Sequence, residues 1–233
     1  MEVWVEQLDR DGWATLSAQF NADEVEVIQA ELAEAWRANA AHGRGGVRNL
    51  LRTHATVRRL AQEGPMRRAA AAVLGPSCGA VRALLFDKTP GANWKVIWHQ
   101  DLTIAVAART ADEGYGPWSA KEGVVHTQPP VEVLERMVAV RLHLDPCTRR
   151  NGPVRVLPGT HRQGRMTTEV IDRCRAEVPE VVCEAALGGL LLFRPLLLHA
   201  SSPAEEPAHR RVLHVEYGPA TLPGTTQWDT WVA

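Results

Sequence analysis

From Cys78 onward the chain breaks into short apolar runs, and this texture restricts the fold more than any other feature. The runs cover residues 81–86, 96–106, 137–144, 154–157, 181–185, 190–193, 196–199 and 211–217. They are rich in Val, Leu, Ile and aromatic residues and are parted by turn-forming segments such as TPGAN, RNGP, LPGT and LGG. Strands this short and numerous, with few helices between them, predict an antiparallel barrel or jelly roll and argue against a βαβ sheet. The connection over residues 109–130 is long, carries GYGPWS, and has the length of a lid or binding loop.

The first third reads differently. A short strand is predicted at Trp13–Leu16. Asn21, with Glu24 three residues on, has the form of a capping box, and Val25, Ile28, Leu32 and Ala35 then recur at helical spacing. A second helical stretch is predicted over 56–74, interrupted at Gly64-Pro65 and stopped at Gly75-Pro76. The fold class that follows is mainly β (α+β): a helical part over about 20–76 precedes a β core over about 78–218, in one domain of 233 residues.

Composition narrows the function classes. A net charge of −1, with 23% charged residues and no concentration of Lys and Arg beyond doublets such as Arg58-Arg59 and Arg210-Arg211, gives no footprint for nucleic acid or an anionic membrane. The N-terminal MEVWVEQLDR lacks the basic start and apolar stretch of a signal peptide, and no apolar run approaches the ~18 residues of a membrane span, so a cytoplasmic protein is expected. Cys78, Cys147, Cys174 and Cys183 are widely spaced, which favours reduced structural thiols over a metal or redox motif.

Two motifs invite a chemical reading. Gly75-Pro76-Ser77-Cys78-Gly79 fits the G-x-S-x-G pattern, but a nucleophile elbow follows a strand and opens a helix, whereas here the order is reversed, so Ser77 reads as part of a helix-ending turn. The stretch IWHQDLT places His99 and Asp101 two positions apart. Chance alone supplies about 0.35 such pairs in a chain of this composition, so the spacing is weak by itself. On a strand, however, both side chains project to one face, and a buried carboxylate needs a partner or a cation. A second histidine would complete the two-histidine, one-carboxylate set that holds Fe(II) with open positions. His199, closing LLLFRPLLLH before the turn ASSP, fits that place, although a lone histidine at a strand end is more often structural. A dicarboxylate cosubstrate would also need a cation, for which a forked guanidinium is best suited. Arg210 and Arg211 follow His199 by eleven and twelve residues. Alternation places Arg211 with the apolar Leu213, Val215 and Tyr217 and places Arg210 with Val212 and His214, while spacing from His199 favours Arg210.

With these residues in view, the chain resembles the phytanoyl-CoA dioxygenase (PhyH) family of Fe(II)/2-oxoglutarate-dependent oxygenases. The resemblance runs from about Asp11 to Gly218 and rests on DGWATL, FDKTPG, WHQDL, NGPVRVLPGTHR, LLFRPLLLHASSP and RRVLHVEYG, in that order. It implies a double-stranded β-helix, of the jelly-roll or cupin-like kind, flanked by N-terminal helices. It implies His99, Asp101 and His199 as the catalytic metal ligands, Arg210 as the grip on the 5-carboxylate of 2-oxoglutarate, Ser201 as its hydroxyl partner, and Lys88 as a lysine able to reach the cosubstrate. The reaction implied uses Fe(II), 2-oxoglutarate and O2 to oxidise a small-molecule substrate, releasing succinate and CO2. Because Asp101 is present, no iron position is left for a halide, so hydroxylation is expected over halogenation.

The other histidines are assigned bland roles: His143, His161 and His214 as structural residues or supports for the ligands, and His42, His54 and His209 as surface or loop residues. His126, Tyr115, Trp118 and Lys121 lie in the long connection and are candidates for touching substrate. The alternatives are a barrel that binds a metabolite or partner without catalysis, and a cupin-like metalloenzyme that uses no 2-oxoglutarate. A binding module would need neither triad nor arginine. Substrate identity and oligomeric state are not legible.

Overall fold

The computed structural model describes residues 2–40 and 46–233; His42 lies outside the described residues. The chain opens with helix α1 (Val3–Asp11), which Gly12 ends in the left-handed conformation at φ 83°, and strand β1 (Trp13–Leu16) follows directly. The predicted capping box forms: the Asn21 side chain accepts from the Glu24 amide at 2.9 Å, and the Glu24 carboxylate accepts from the Asn21 amide at 2.8 Å. The helix it starts is divided at Leu32 into α2 (Ala22–Glu31) and α3 (Ala33–Ala40). A two-residue strand, β2 (Gly46–Val47), and a single turn, α4 (Leu50–Thr53), lead to α5 (Ala55–Gln62) and α6 (Gly64–Leu74). These last two are separated at Glu63, and the Gly64-Pro65 pair at which the sequence predicts the interruption opens α6.

The β core then runs β3 (Gly79–Asp87), β4 (Val96–His99), β5 (Ile104–Val106), β6 (Trp118–Lys121), β7 (Val124–Thr127), a short helix α7 (Val131–Glu135), β8 (Val138–His143), β9 (Val154–Val156), helix α8 (Thr168–Glu177), β10 (Val181–Cys183), β11 (Leu190–Phe193), β12 (His199–Ser201) and β13 (Arg211–Gly218). All pairings are antiparallel. A six-stranded sheet, β1-β11-β8-β13-β3-β2, faces a four-stranded sheet, β10-β9-β12-β4, and a three-stranded sheet, β5-β7-β6, stands beside them. This is the double-stranded β-helix that the family resemblance implies.

The two faces of the six-stranded sheet divide the core. Leu85, Val140, Leu142, Leu190, Leu192, Leu213, Val215 and Tyr217 pack outward under Leu8, Ile28, Leu32, Leu60 and Met66 of the helices. The Tyr217 hydroxyl is satisfied there, donating to the Ala61 carbonyl at 3.0 Å. Toward the facing sheet, Ala139, Leu191 and Phe193 meet Val154, Val156 and Leu197. The apolar face of β13 is therefore the helix-covered one, and Arg210, Val212, His214 and Glu216 alternate toward the interior.

Four local expectations differ from the structure. The predicted strand 96–106 is broken into β4 and β5, because Gln100 turns its side chain to the Leu196 and Gly164 carbonyls, each at 2.7 Å, and the Asp101 amide donates to the Pro195 carbonyl at 2.8 Å. The predicted strand 196–199 is a turn whose Leu197 amide bonds back to Arg194, so His199 opens β12 and does not close a strand. The long connection 109–130 contains a hairpin, β6–β7, with the left-handed pair Glu122 (φ 51°) and Gly123 (φ 79°) at its tip. Helices α1 and α8 are additional to the predicted elements. Ser77 sits exposed in the turn between α6 and β3, and all four cysteines are free and buried.

Candidate metal centre

His99 and His199 are direct cross-strand partners at the β4–β12 pairing, with ring centroids 4.2 Å apart. Each ring is held from behind: Nδ1 of His99 donates to the Ile97 carbonyl and Nδ1 of His199 to the Leu197 carbonyl, both at 2.8 Å. A carbonyl only accepts, so in each neutral ring the proton sits on Nδ1 and the Nε2 lone pair is free. They point at the same carboxylate. Nε2 of His99 lies 3.7 Å from Asp101 Oδ1, and Nε2 of His199 lies 3.5 Å from Oδ2. The three ligand atoms fall within 4.8 Å of one another.

Asp101 reaches this position from irregular backbone. Gln100 is the residue that makes this possible: it is buried, clamps Leu196 and Gly164 with its amide nitrogen, and accepts from the Met166 amide at 2.9 Å, so the chain is pinned between His99 and Asp101. Burial alone would raise the Asp101 carboxyl, but the His199 and His99 imidazoles outweigh it and bring it down to about 2. Burial lowers His199 to about 4, only partly offset by Asp101, which keeps the ring neutral and able to ligate. A second acidic group is nearby, yet committed. Glu216 bonds Arg82 and accepts from His214 Nε2 at 3.2 Å, so its carboxylate is already neutralised.

The triad opens on a cavity of about 120 Å³ whose lining includes Ser201, Arg210, Arg141, His214, Phe86 and Trp94. Arg210 is 2% exposed, and its Nε and Nη1 have no hydrogen-bond partner. Its backbone is fixed by Asp87, which accepts from the Arg210 amide at 3.0 Å and from His209 Nδ1 at 2.8 Å. Arg211 faces away and is spent on Asp145 in a two-pronged ion pair at 2.8 and 2.7 Å. Lys88 lies behind the cavity wall. Its ammonium donates to Ser201 Oγ at 3.2 Å, to Gly152 O at 3.5 Å and to the Ser202 carbonyl, and burial, with Arg210 adding repulsion, lowers it to about 7. The structure thus brings His99, Asp101, His199, Ser201 and Arg210 together around one cavity, and sets Lys88 one layer out.

A wider recess of about 520 Å³ shares Leu84, Phe86 and Trp94 with the cavity and is bordered by Arg48, Lys121 and Glu122. Of the residues in the long connection, Lys121 borders this recess. His126 is buried against Val124 O and faces Arg82 and Asp229, while Tyr115 and Trp118 stack on each other in a separate apolar cluster. His214 stands beside the triad, His143 is buried behind it with neither ring nitrogen bonded, and His161 binds the Asp9 carbonyl. His209 is exposed and His54 half-buried at the α4–α5 junction. Gln100, Asp87 and Arg141 are the site residues that sequence reasoning missed. Only Arg141 left a trace, as a charge inside the apolar run MVAVRLHL.

A double-stranded β-helix with two imidazoles and one carboxylate converging at its mouth is the architecture of the iron- and 2-oxoglutarate-dependent oxygenases, and the chain is an enzyme of that class. It belongs to the phytanoyl-CoA dioxygenase (PhyH) family, whose sequence model matches residues 8–212. No curated protein matches the chain by sequence. Among solved structures, EctD from S. alaskensis with bound Fe superposes with a TM-score of 0.73 at 20% identity, covering 94% of this chain and 77% of that one. SnoK, an alpha-ketoglutarate-dependent carbocyclase from nogalamycin biosynthesis, gives a TM-score of 0.73 at 15% identity, with coverage of 97% and 87%. HygX from Streptomyces hygroscopicus with iron bound gives 0.67 at 15%, with coverage of 94% and 87%. Among the described residues no helix is long and apolar enough to cross a membrane.

Proposed function

We propose that the chain binds Fe(II) through His99, Asp101 and His199, binds 2-oxoglutarate through Arg210 and Ser201, and uses O2 to hydroxylate a small-molecule substrate with release of succinate and CO2. One observation carries this reading: two free Nε2 lone pairs and a carboxylate converge beside a buried guanidinium that has unbonded donors in the same cavity. The donor set fits the metal. Two imidazoles and one carboxylate on one side would leave the opposite side open for cosubstrate and O2, the arrangement typical of non-haem Fe(II) oxygenases. Bound there, iron together with 2-oxoglutarate supplies the oxidising power for attack on an unactivated C–H bond.

The chain's own contribution is positional. Ile97 O and Leu197 O fix the tautomers, Gln100 sets the angle of Asp101, and Asp87 aims Arg210. Lys88 holds the Ser201 hydroxyl oriented toward the cavity lining. The wider recess, with Leu84, Phe86 and Trp94, offers a small molecule an apolar approach to the metal face. EctD has been solved with 2-oxoglutarate and 5-hydroxyectoine, which supports the same chemistry on this fold.

Mixing the protein with Fe(II) and 2-oxoglutarate under anaerobic conditions tests the proposal. A visible charge-transfer band is expected, and admitting O2 should release succinate even without substrate. A protein that binds iron yet shows neither band nor succinate would be a metalloprotein of another kind. In the same titration Arg210→Ala should weaken 2-oxoglutarate by about 1.5–3 kcal/mol, the worth of hydrogen bonds to a charged group.

A further inference from the structure

We propose that Arg141 is a second cosubstrate-binding guanidinium, gripping the distal carboxylate of 2-oxoglutarate together with Arg210 and taking the place expected of Lys88. The inference rests on the function proposed above and concerns a residue to which the family resemblance gives no role.

Arg141 lies on β8 opposite His214 of β13, so its side chain leaves the six-stranded sheet on the interior face. There it crosses toward β3, and its guanidinium carbon lies 5.5 Å from the centre of the Phe86 ring. It lines the cavity that holds the triad, Ser201 and Arg210. Residue 141 is 8% exposed, and its Nε is buried with no partner. Among the described residues, no hydrogen bond or ion pair reaches its guanidinium.

Its electrostatic surroundings are what call for a ligand. After burial itself, the strongest influence on Arg141 is another cation, Arg210, and together they bring its ordinarily very high pKa down to about 10. A buried guanidinium facing a second one is unfavourable unless an anion lies between them. Among the described residues the protein supplies none that is uncommitted. Glu216 is held by Arg82 and His214, and Asp101 belongs to the metal triad. A carboxylate has room for two guanidiniums, since its two oxygens offer about four acceptor sites.

Lys88 is placed where it cannot share this work. Its ammonium is spent on Ser201, Ser202 and Gly152 and does not line the cavity. A Cβ at Gly152 would lie 2.9 Å from the Lys88 nitrogen and 2.6 Å from Ser202 O, so the glycine is what lets the lysine seat itself behind Ser201. Lys88 is therefore a positioning residue for Ser201, and the second cationic contact falls to Arg141.

Calorimetric titration of the Mn(II)-loaded protein, which cannot turn over, separates the possibilities. The ligands are 2-oxoglutarate and 2-oxopentanoate, which has the same chain length but ends in a methyl group. Arg141→Met should lose roughly tenfold to a hundredfold in affinity for 2-oxoglutarate and keep its affinity for 2-oxopentanoate. The metal-free variant should also melt no lower than the parent, since an unpaired buried charge has been removed. Should Arg141→Met not fold, Arg141→Lys serves: it keeps a charge but loses the fork, and should show a smaller, still selective loss. Unchanged 2-oxoglutarate affinity in the folded variant, or an equal loss for both acids, would overturn the inference. Failure of the parent protein to bind 2-oxoglutarate at all would instead overturn the function on which it rests.

Discussion

Leu213, Val215 and Tyr217 leave one side of β13 and vanish beneath the helices, while His214, with Arg210 just before the strand, leaves the other side and faces the cavity. The same eight-residue strand thus serves two solvents. On the helix side, beyond Arg211 and its ion pair with Asp145 at the strand's start, the positions are apolar, and the Tyr217 hydroxyl is bonded. On the cavity side the chain buries guanidiniums and imidazoles with unbonded nitrogens, among them Arg210, Arg141, His143 and His214. Stability is concentrated on the first face, and the second keeps unbonded donors for the ligands proposed above.

That division can be broken from either side. The largest effect is expected on the helix side: Leu213 is fully buried, so Leu213→Ala should cost about 2–5 kcal/mol of unfolding free energy. The folded fraction should bind 2-oxoglutarate as the parent does, which denaturant titration with and without ligand would show. A change in affinity as large as the change in stability would mean that the two faces are not independent.

The cavity side should instead respond to pH. Lys88 is lowered from 10.5 to about 7, first by burial and then by Arg210, so between those values the unfolded chain holds the proton more tightly than the folded one. Stability of the metal-free protein should therefore rise as pH increases from about 7 toward 10. The gain should be on the order of 1–2 kcal/mol, and Lys88→Met should flatten the profile. A flat profile in the parent would show that the lysine is not held out of water.

The smallest effect sharpens the contrast between two neighbouring arginines. Arg211 is only partly buried and paired with Asp145, so Arg211→Ala should cost about 1 kcal/mol or less and leave cosubstrate affinity untouched. If 2-oxoglutarate binding fell with Arg211→Ala and not with Arg210→Ala, the assignment of interior and exterior faces on this strand would be reversed.

What could be read from the sequence was what local chemistry determines. Asn21 and Glu24 announce α2 because the cap is made by residues three apart, and Gly64-Pro65 announces the break between α5 and α6. The candidate pair His99 and Asp101 was visible too, although for a partly mistaken reason. A continuous strand would aim both side chains together, but the real alignment comes from Gln100 reaching residues 164 and 196 and from Asp101 bonding Pro195. Contacts across sixty or more positions leave no local pattern. The two faces of β13 were equally ambiguous, since alternation separates Arg210 from Arg211 without saying which side the helices cover. Helix α8 was more accessible: Thr167 caps it, and Val170, Cys174 and Val178 recur at four-residue intervals.

The cross-strand pairing of His99 with His199 has a consequence for how the enzyme matures. The two imidazoles meet only when polypeptide segments a hundred positions apart zip together in step, and a slip by a single residue would swing one ring out of the barrel. A misthreaded chain would then present one imidazole where the proposed iron site uses two. If iron binds there as proposed, its capture would favour molecules whose sheets have closed in frame, and loading and quality control would be one event.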